Sequence, residues 1–198
     1  GSSKKLIKEN SMNYNPSTPY ASSKLSLEIF LNNFIKKQDY KIIIARFSNF
    51  YGRGQPMYRL IPKLVYCIKN KIKFPLHGNG NTIRDFIFED DFNNGLLKII
   101  KNGEIGEKYH FSGERYYTIK EIIKKVIKIK NYSWSKLVLK SKDRPGKDKY
   151  YFLNCKRTKR KLKWKCRVNI DEGLNKTVNY YDSIIKNINP KDIKFKIR

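Results

Sequence analysis

Residues 41–47, KIIIARF, form a short β-branched run that reads as a strand buried on both faces. Directly before it, residues 20–38 place Leu27, Phe30, Leu31, Phe34 and Ile35 at helical spacing. Pro19 stands near the start of that helix, where its missing N–H costs little. The same alternation continues along the chain. Residues 58–70 (YRLIPKLVYCIKN) predict a helix bent or begun at Pro62, after a loop over 47–55. Residues 73–81 predict a strand and turn, and 82–88 (TIRDFIF) a strand. A helix over 90–102 is expected to be capped by Asp90 or Asp91. A strand follows at 107–112, and then a helix at 119–129 opened by Thr118, with Glu121 completing a capping box. Residues 136–141 and 149–154 read as strands and 171–187 as a closing helix. Strands alternating with helices argue for an α/β fold with a parallel sheet.

With 198 residues the chain can bury one sizeable core, or one core and a small lobe. It has no apolar run near the length needed to cross a bilayer. It also has no charged-then-apolar leader pattern, so a cytoplasmic location is expected. Cys67, Cys155 and Cys166 are odd in number and lack C-x-x-C spacing. That argues against a zinc site or a disulfide framework; reduced cysteines and no metal are expected. The formal charge of +27 raises nucleic acid as a partner. Against it, lysine, isoleucine, asparagine, tyrosine and phenylalanine are plentiful together, and lysines are spread along the whole chain. Only residues 154–167 (NCKRTKRKLKWKCR) are densely basic. The charge therefore reads as biased composition, and no specific nucleic acid is expected.

Tyr20 lies four residues before Lys24, but Tyr116 and Lys120 share that spacing, as do Tyr132 and Lys136. The bare pattern is worth little. On a helix the first pair lies on one face and can point into one site. A phenol with a pKa near 10 becomes a base near neutrality only if about 3 units are removed, roughly 4 kcal/mol, which a nearby ammonium helps to supply. Gly78-x-Gly80 is too short and wrongly placed for a dinucleotide fingerprint, and reads as a tight turn.

The company of Tyr20 is more specific. STPYASSK is followed in order by ARFSNFYGRGQ, LIPKLV, LHGNGNTIRDFIFEDD, GEKYHFSG and SKDRPGKDKYYFLNCKRTKRKLKW. This series resembles the extended short-chain dehydrogenases/reductases, and among them the dTDP-glucose 4,6-dehydratases, over about residues 3–181. The resemblance implies the C-terminal part of a doubly wound NAD-binding fold plus a small mixed α/β substrate-binding lobe. Residues 1–52 would be the remaining part of the NAD-binding domain. Residues 53–198 would be mainly the sugar-nucleotide lobe, with 82–102 packing back on the first domain.

The resemblance also implies roles. Tyr20 would be the base that takes the proton of the sugar 4-hydroxyl. Lys24 would hold the nicotinamide ribose. Asn49 would lie beside the nicotinamide and the substrate diphosphate. Arg59, Arg84 and Arg144 would bind phosphate oxygens, for which the arginine fork is suited. For Arg84 and Arg144, pairing with Asp85 and Asp143 is the structural alternative. Two positions depart from the family pattern: His110 stands where an asparagine is common, and Lys147 where a histidine is common, though lysine still meets phosphate as a point charge.

The chain shows neither the glycine-rich NAD fingerprint nor the Thr-Asp-Glu run that the family uses to remove water across C5 and C6. The expectation is a nucleotide-sugar 4,6-dehydratase with tightly bound NAD, a homodimer when complete, of which this chain is the C-terminal half and inactive alone. A 4-epimerase or decarboxylase of the same superfamily is the close alternative. A noncatalytic basic binding fragment is the alternative from another class.

Overall fold

The computed structural model describes residues 5–11, 14–37, 40–143 and 150–187. In chain order the elements are α1 (Pro19–Lys37), β1 (Ile44–Phe47), β2 (Asn49–Tyr51), α2 (Leu60–Lys69), β3 (Phe74–His77), β4 (Ile83–Phe88), α3 (Glu89–Asn102), β5 (Lys108–Phe111), β6 (Tyr116–Thr118), α4 (Ile119–Ile129), α5 (Trp134–Leu137), β7 (Val138–Ser141), α6 (Lys156–Leu162) and α7 (Ile170–Ile184). A single 3-10 turn, Ile185–Asn187, follows α7. The chain folds as two compact units, each built from three separate stretches.

The first unit comprises residues 1–50, 82–116 and 145–167. Its β1 and β5 run parallel, from Ile44 opposite Lys108 to Phe47 opposite Phe111. Ile87, Tyr109, Phe111, Cys155, Leu162 and Trp164 form its core. Trp164 is fully buried, edge-on to Phe111 with ring centroids 5.1 Å apart, and its indole N–H donates to the Asp91 carbonyl at 3.0 Å. A partner for that N–H is what makes a buried indole affordable. Gly95 lets α3 lie close to β5, since a Cβ there would sit 2.5 Å from Phe111 Cε1.

The second unit comprises residues 51–81, 117–144 and 168–198. Its β3 and β7 are also parallel, with Phe74 opposite Val138 and His77 opposite Ser141. Helices α2, α4 and α7 bury Ile61 and Val65, Ile122 and Val126, and Leu174 and Val178 at helical spacing. Thr118 and Glu121 form the expected capping box: the Thr118 hydroxyl accepts from the Glu121 amide at 3.1 Å, and Glu121 accepts from the Thr118 amide at 2.6 Å. Pro62 lies in the first turn of α2, where backbone N–H groups have no helical partner in any case. Gly78 and Gly80 take positive φ in the turn after β3.

The α/β class and the parallel pairing match the sequence reading, but several local expectations do not hold. The run at 41–47 shortens to Ile44–Phe47 and is only half-buried, with Phe47 exposed. Among the described residues its sheet has two strands, so no further described strand pairs along its edges. The expected loop at 47–55 contains β2, which joins β4 and β6 in a sheet of order β2-β4-β6. Neither Asp90 nor Asp91 caps α3; Phe88 holds the cap position, and the Asp91 carboxylate instead accepts the Arg167 amide at 3.0 Å. Of the strand expected at 149–154, Lys149 lies outside the described residues and the rest makes a single bridge, Leu153 to Ile7. Helices α5 and α6 and strand β6 have no counterpart in the sequence reading. Among the described residues no helix is long and apolar enough to cross a membrane, and no cluster of three or more His, Cys, Asp or Glu residues is placed to hold a metal.

Candidate active site

Tyr20 and Lys24 occupy the first two turns of α1, whose start is secured by the Thr18 hydroxyl accepting the Ala21 amide at 3.1 Å. One helical turn apart, they meet: Lys24 Nζ lies 5.6 Å from the Tyr20 ring centroid. Both are exposed, Tyr20 at 72%. The pair presents a phenolic hydroxyl and an ammonium together to solvent.

Asn49 sits where β1 passes into β2. The Ser48 amide donates to the Phe111 carbonyl at 3.0 Å, and Asn49 Nδ2 donates to the Asp85 carbonyl at 3.1 Å. Arg84 precedes Asp85 on β4 and donates from one guanidinium nitrogen to the Ile83 carbonyl at 2.8 Å. Asn49 and Arg84 are thus tied to neighbouring residues of one strand. Asp85 itself is fully buried. Its carboxylate accepts from the Ser112 hydroxyl and the Arg115 amide. Burial outweighs these hydrogen bonds and raises its pKa above the usual aspartate value. Asp85 escaped the sequence reading except as a possible partner of Arg84. The signal for it, an acid among the four apolar residues of a strand, is present in IRDFIF.

Arg59 belongs to the second unit. It is exposed at the N-cap position of α2, with its guanidinium 5.5 Å from the Tyr58 ring centroid. Arg144 and Lys147 lie outside the described residues. His110 is fully buried on β5, with Nε2 3.1 Å from an Arg46 guanidinium nitrogen. Burial and the Arg46 charge push its pKa down to about 4. An arginine only donates, so Nε2 accepts and the neutral ring carries its proton on Nδ1. The dense basic block at 154–167 is partly neutralised within the first unit: Arg157, Lys159 and Lys161 pair with Glu107, Glu114 and Glu104.

The fold is that of the NAD-binding epimerases and dehydratases. A dTDP-glucose 4,6-dehydratase from Streptomyces venezuelae, solved with NAD and TYD bound, superposes with a TM-score of 0.88 at 29% identity, over 92% of this chain and 56% of that one. The Bacillus anthracis dTDP-glucose 4,6-dehydratase, solved in complex with NAD, gives 0.86 at 26% identity. UDP-glucuronic acid 4-epimerase from Bacillus cereus shares the fold, with a TM-score of 0.87 at 24% identity. The GDP-mannose 4,6 dehydratase family profile matches residues 1–177, and the chain belongs to that family. A probable dTDP-glucose 4,6-dehydratase of Sinorhizobium fredii is 30% identical over 85% of this chain, and the Haemophilus influenzae dTDP-glucose 4,6-dehydratase is 29% identical. The chain spans about half the length of these curated relatives, 50% and 53%.

Proposed function

We propose that this chain supplies the C4-oxidation residues and part of the substrate lobe of a nucleotide-sugar 4,6-dehydratase, a lyase that regenerates its NAD. The observation that carries the reading is the Tyr20–Lys24 pair, exposed together on α1, in a chain whose relatives are dTDP-glucose 4,6-dehydratases. Residues 1–52, joined by 82–102, are the remaining NAD-binding part, and the rest of 53–198 is mainly the sugar-nucleotide lobe. The donor set suits the nicotinamide-ribose end of a dinucleotide: Lys24 offers an ammonium to the ribose hydroxyls, and Asn49 offers an amide whose orientation Asp85 fixes. NAD held there by Lys24 and Asn49 would supply the hydride acceptor for oxidation at C4 and the donor for the later reduction at C6.

Tyr20 takes the proton of the sugar 4-hydroxyl as C4 is oxidised, and Lys24 supplies the adjacent positive charge. Arg84, together with Arg59, Arg144 and Lys147, meets the diphosphate, whose two phosphates need converging cations. The acid and base that remove water across C5 and C6 belong to the part of its relatives that this chain does not span. The complete enzyme is a cytoplasmic homodimer paired through α1, whose Leu27, Ile29 and Phe30 are exposed. It binds neither membrane nor a specific nucleic acid.

A 4-epimerase shares the oxidation step and the fold, so the product decides between them. The test is Tyr20→Phe in the complete enzyme, with dTDP-glucose and UDP-glucose as substrates. The parent should yield a 4-keto-6-deoxy sugar and the variant none, while still binding NAD. A 4-epimer from the parent identifies the epimerase instead, and undiminished activity in the variant removes Tyr20 from its role.

A further inference from the structure

Helix α1 carries Tyr20 and Lys24 yet buries none of its residues, and its Leu27, Ile29 and Phe30 side chains are exposed. Apolar packing within the described chain is therefore a weak tether for the helix that bears the proposed chemistry. One polar side chain on it behaves differently. Glu28, one turn beyond Lys24, is shielded to 16% side-chain exposure and receives two cations. Arg46 of β1 donates to it through Nε at 2.9 Å and also through a terminal nitrogen, a two-point grip. Lys108 of β5 donates to the same carboxylate at 2.8 Å. Both cations are themselves shielded, at 13% and 17%. Arg46 is oriented in turn by the Glu9 carbonyl at 3.1 Å, the Tyr14 hydroxyl at 2.8 Å and His110 Nε2 at 3.1 Å.

Burial alone would raise the Glu28 pKa, but the hydrogen bonds from Arg46 and Lys108 outweigh it and hold it below the usual glutamate value. The carboxylate is thus ionised at neutral pH and fully committed to the sheet. We infer that Glu28 is a positioning residue: gripped by Arg46 and Lys108 from two adjacent strands, it fixes the register and rotation of α1 and so the direction in which Tyr20 and Lys24 face. The inference deepens the proposed function and rests on its assignment of Tyr20 and Lys24. The grip is bidentate and planar, so Arg46→Lys, which keeps the charge, loses the orientation.

Two readouts test it. In the chain itself, hydrogen exchange is measured amide by amide for Glu28→Gln and Arg46→Lys. Exchange along α1 should quicken about tenfold or more in each, while α2, α4 and α7 of the second unit stay at parent rates. Unchanged α1 exchange in both variants overturns the clamp whatever the enzyme does. In the complete enzyme, kcat per NAD-loaded site should fall about tenfold or more with KM for the nucleotide sugar unchanged. Glu28→Asp, which keeps the ion pairs within reach, should recover part of the loss. A rise in KM with kcat intact overturns the positioning role. Tyr20→Phe in the same assay separates the two claims: if it stays active the proposed function fails, and the exchange result still judges the clamp.

Discussion

Replacing His110 by asparagine should flatten the pH dependence of stability. His110 is fully buried on β5 against Arg46, and its pKa is pushed down to about 4 from the ordinary 6.5. The native state therefore keeps the ring neutral where the unfolded chain protonates it. The stability this neutrality contributes is complete above the unfolded pKa and drains away as pH falls from about 7 toward about 4, because over that window the unfolded state binds the extra proton. A shift of roughly 2.5 units at 1.36 kcal/mol each makes the loss about 3 kcal/mol. Asparagine still offers Arg46 a carbonyl oxygen, so the variant should keep the local hydrogen bond. Denaturant unfolding of parent and variant across the same pH series gives the answer by difference, since Glu28, Asp85 and Glu107 titrate in both. The parent curve should fall more steeply than the variant's by about 3 kcal/mol over the window. Parallel curves would refute the burial argument.

Gly95→Ala should destabilise the chain by about 1–3 kcal/mol despite alanine's better helix propensity, because its methyl carbon would lie 2.5 Å from Phe111 Cε1; a denaturant midpoint at or above the parent's counts against this packing. Cys67 and Cys155 are buried, and burial together with the Asp91 carboxylate pushes the Cys166 thiol up to about 12. Disulfide-exchange labelling of the native chain should therefore be slow at all three until denaturant is added, and Asp91→Asn should quicken Cys166 alone. Equal rates at Cys166 in parent and variant would show that Asp91 does not govern that thiol.

Where a feature is local, the sequence displays it. The Thr118–Glu121 capping box needs four consecutive residues, and both of its hydrogen bonds form. The Tyr20–Lys24 encounter needs only a helical turn, and it forms too. The misreadings arise where distant residues compete for the same group. Asp91 looks like a helix cap beside its own helix, but Cys166 and Arg167, 75 and 76 residues on, claim its carboxylate. Helix α6 shows little apolar periodicity; it buries Thr158 and Leu162 and meets carboxylates at Glu104, Glu107 and Glu114 through alternate cations. The Glu28 clamp joins residues separated by 18 and 80 positions, a pairing no local pattern announces. Asn49 and Arg84 are singled out by resemblance alone, whereas the strand that both of them bond is visible only in three dimensions.

The division of each unit among three separate stretches has a consequence for synthesis. The first unit's core waits for Trp164, which is synthesised well after β1 and β5. Until then Phe111 and Tyr109 lack the ring that covers them, and the nascent chain exposes a strand pair with an unfinished apolar face. The second unit is likewise incomplete until α7 arrives behind α2 and α4. Neither unit can be finished on the ribosome before the other is well under way. Premature termination anywhere before about residue 165 leaves neither of these two units with a complete core, a natural substrate for chaperones and proteases.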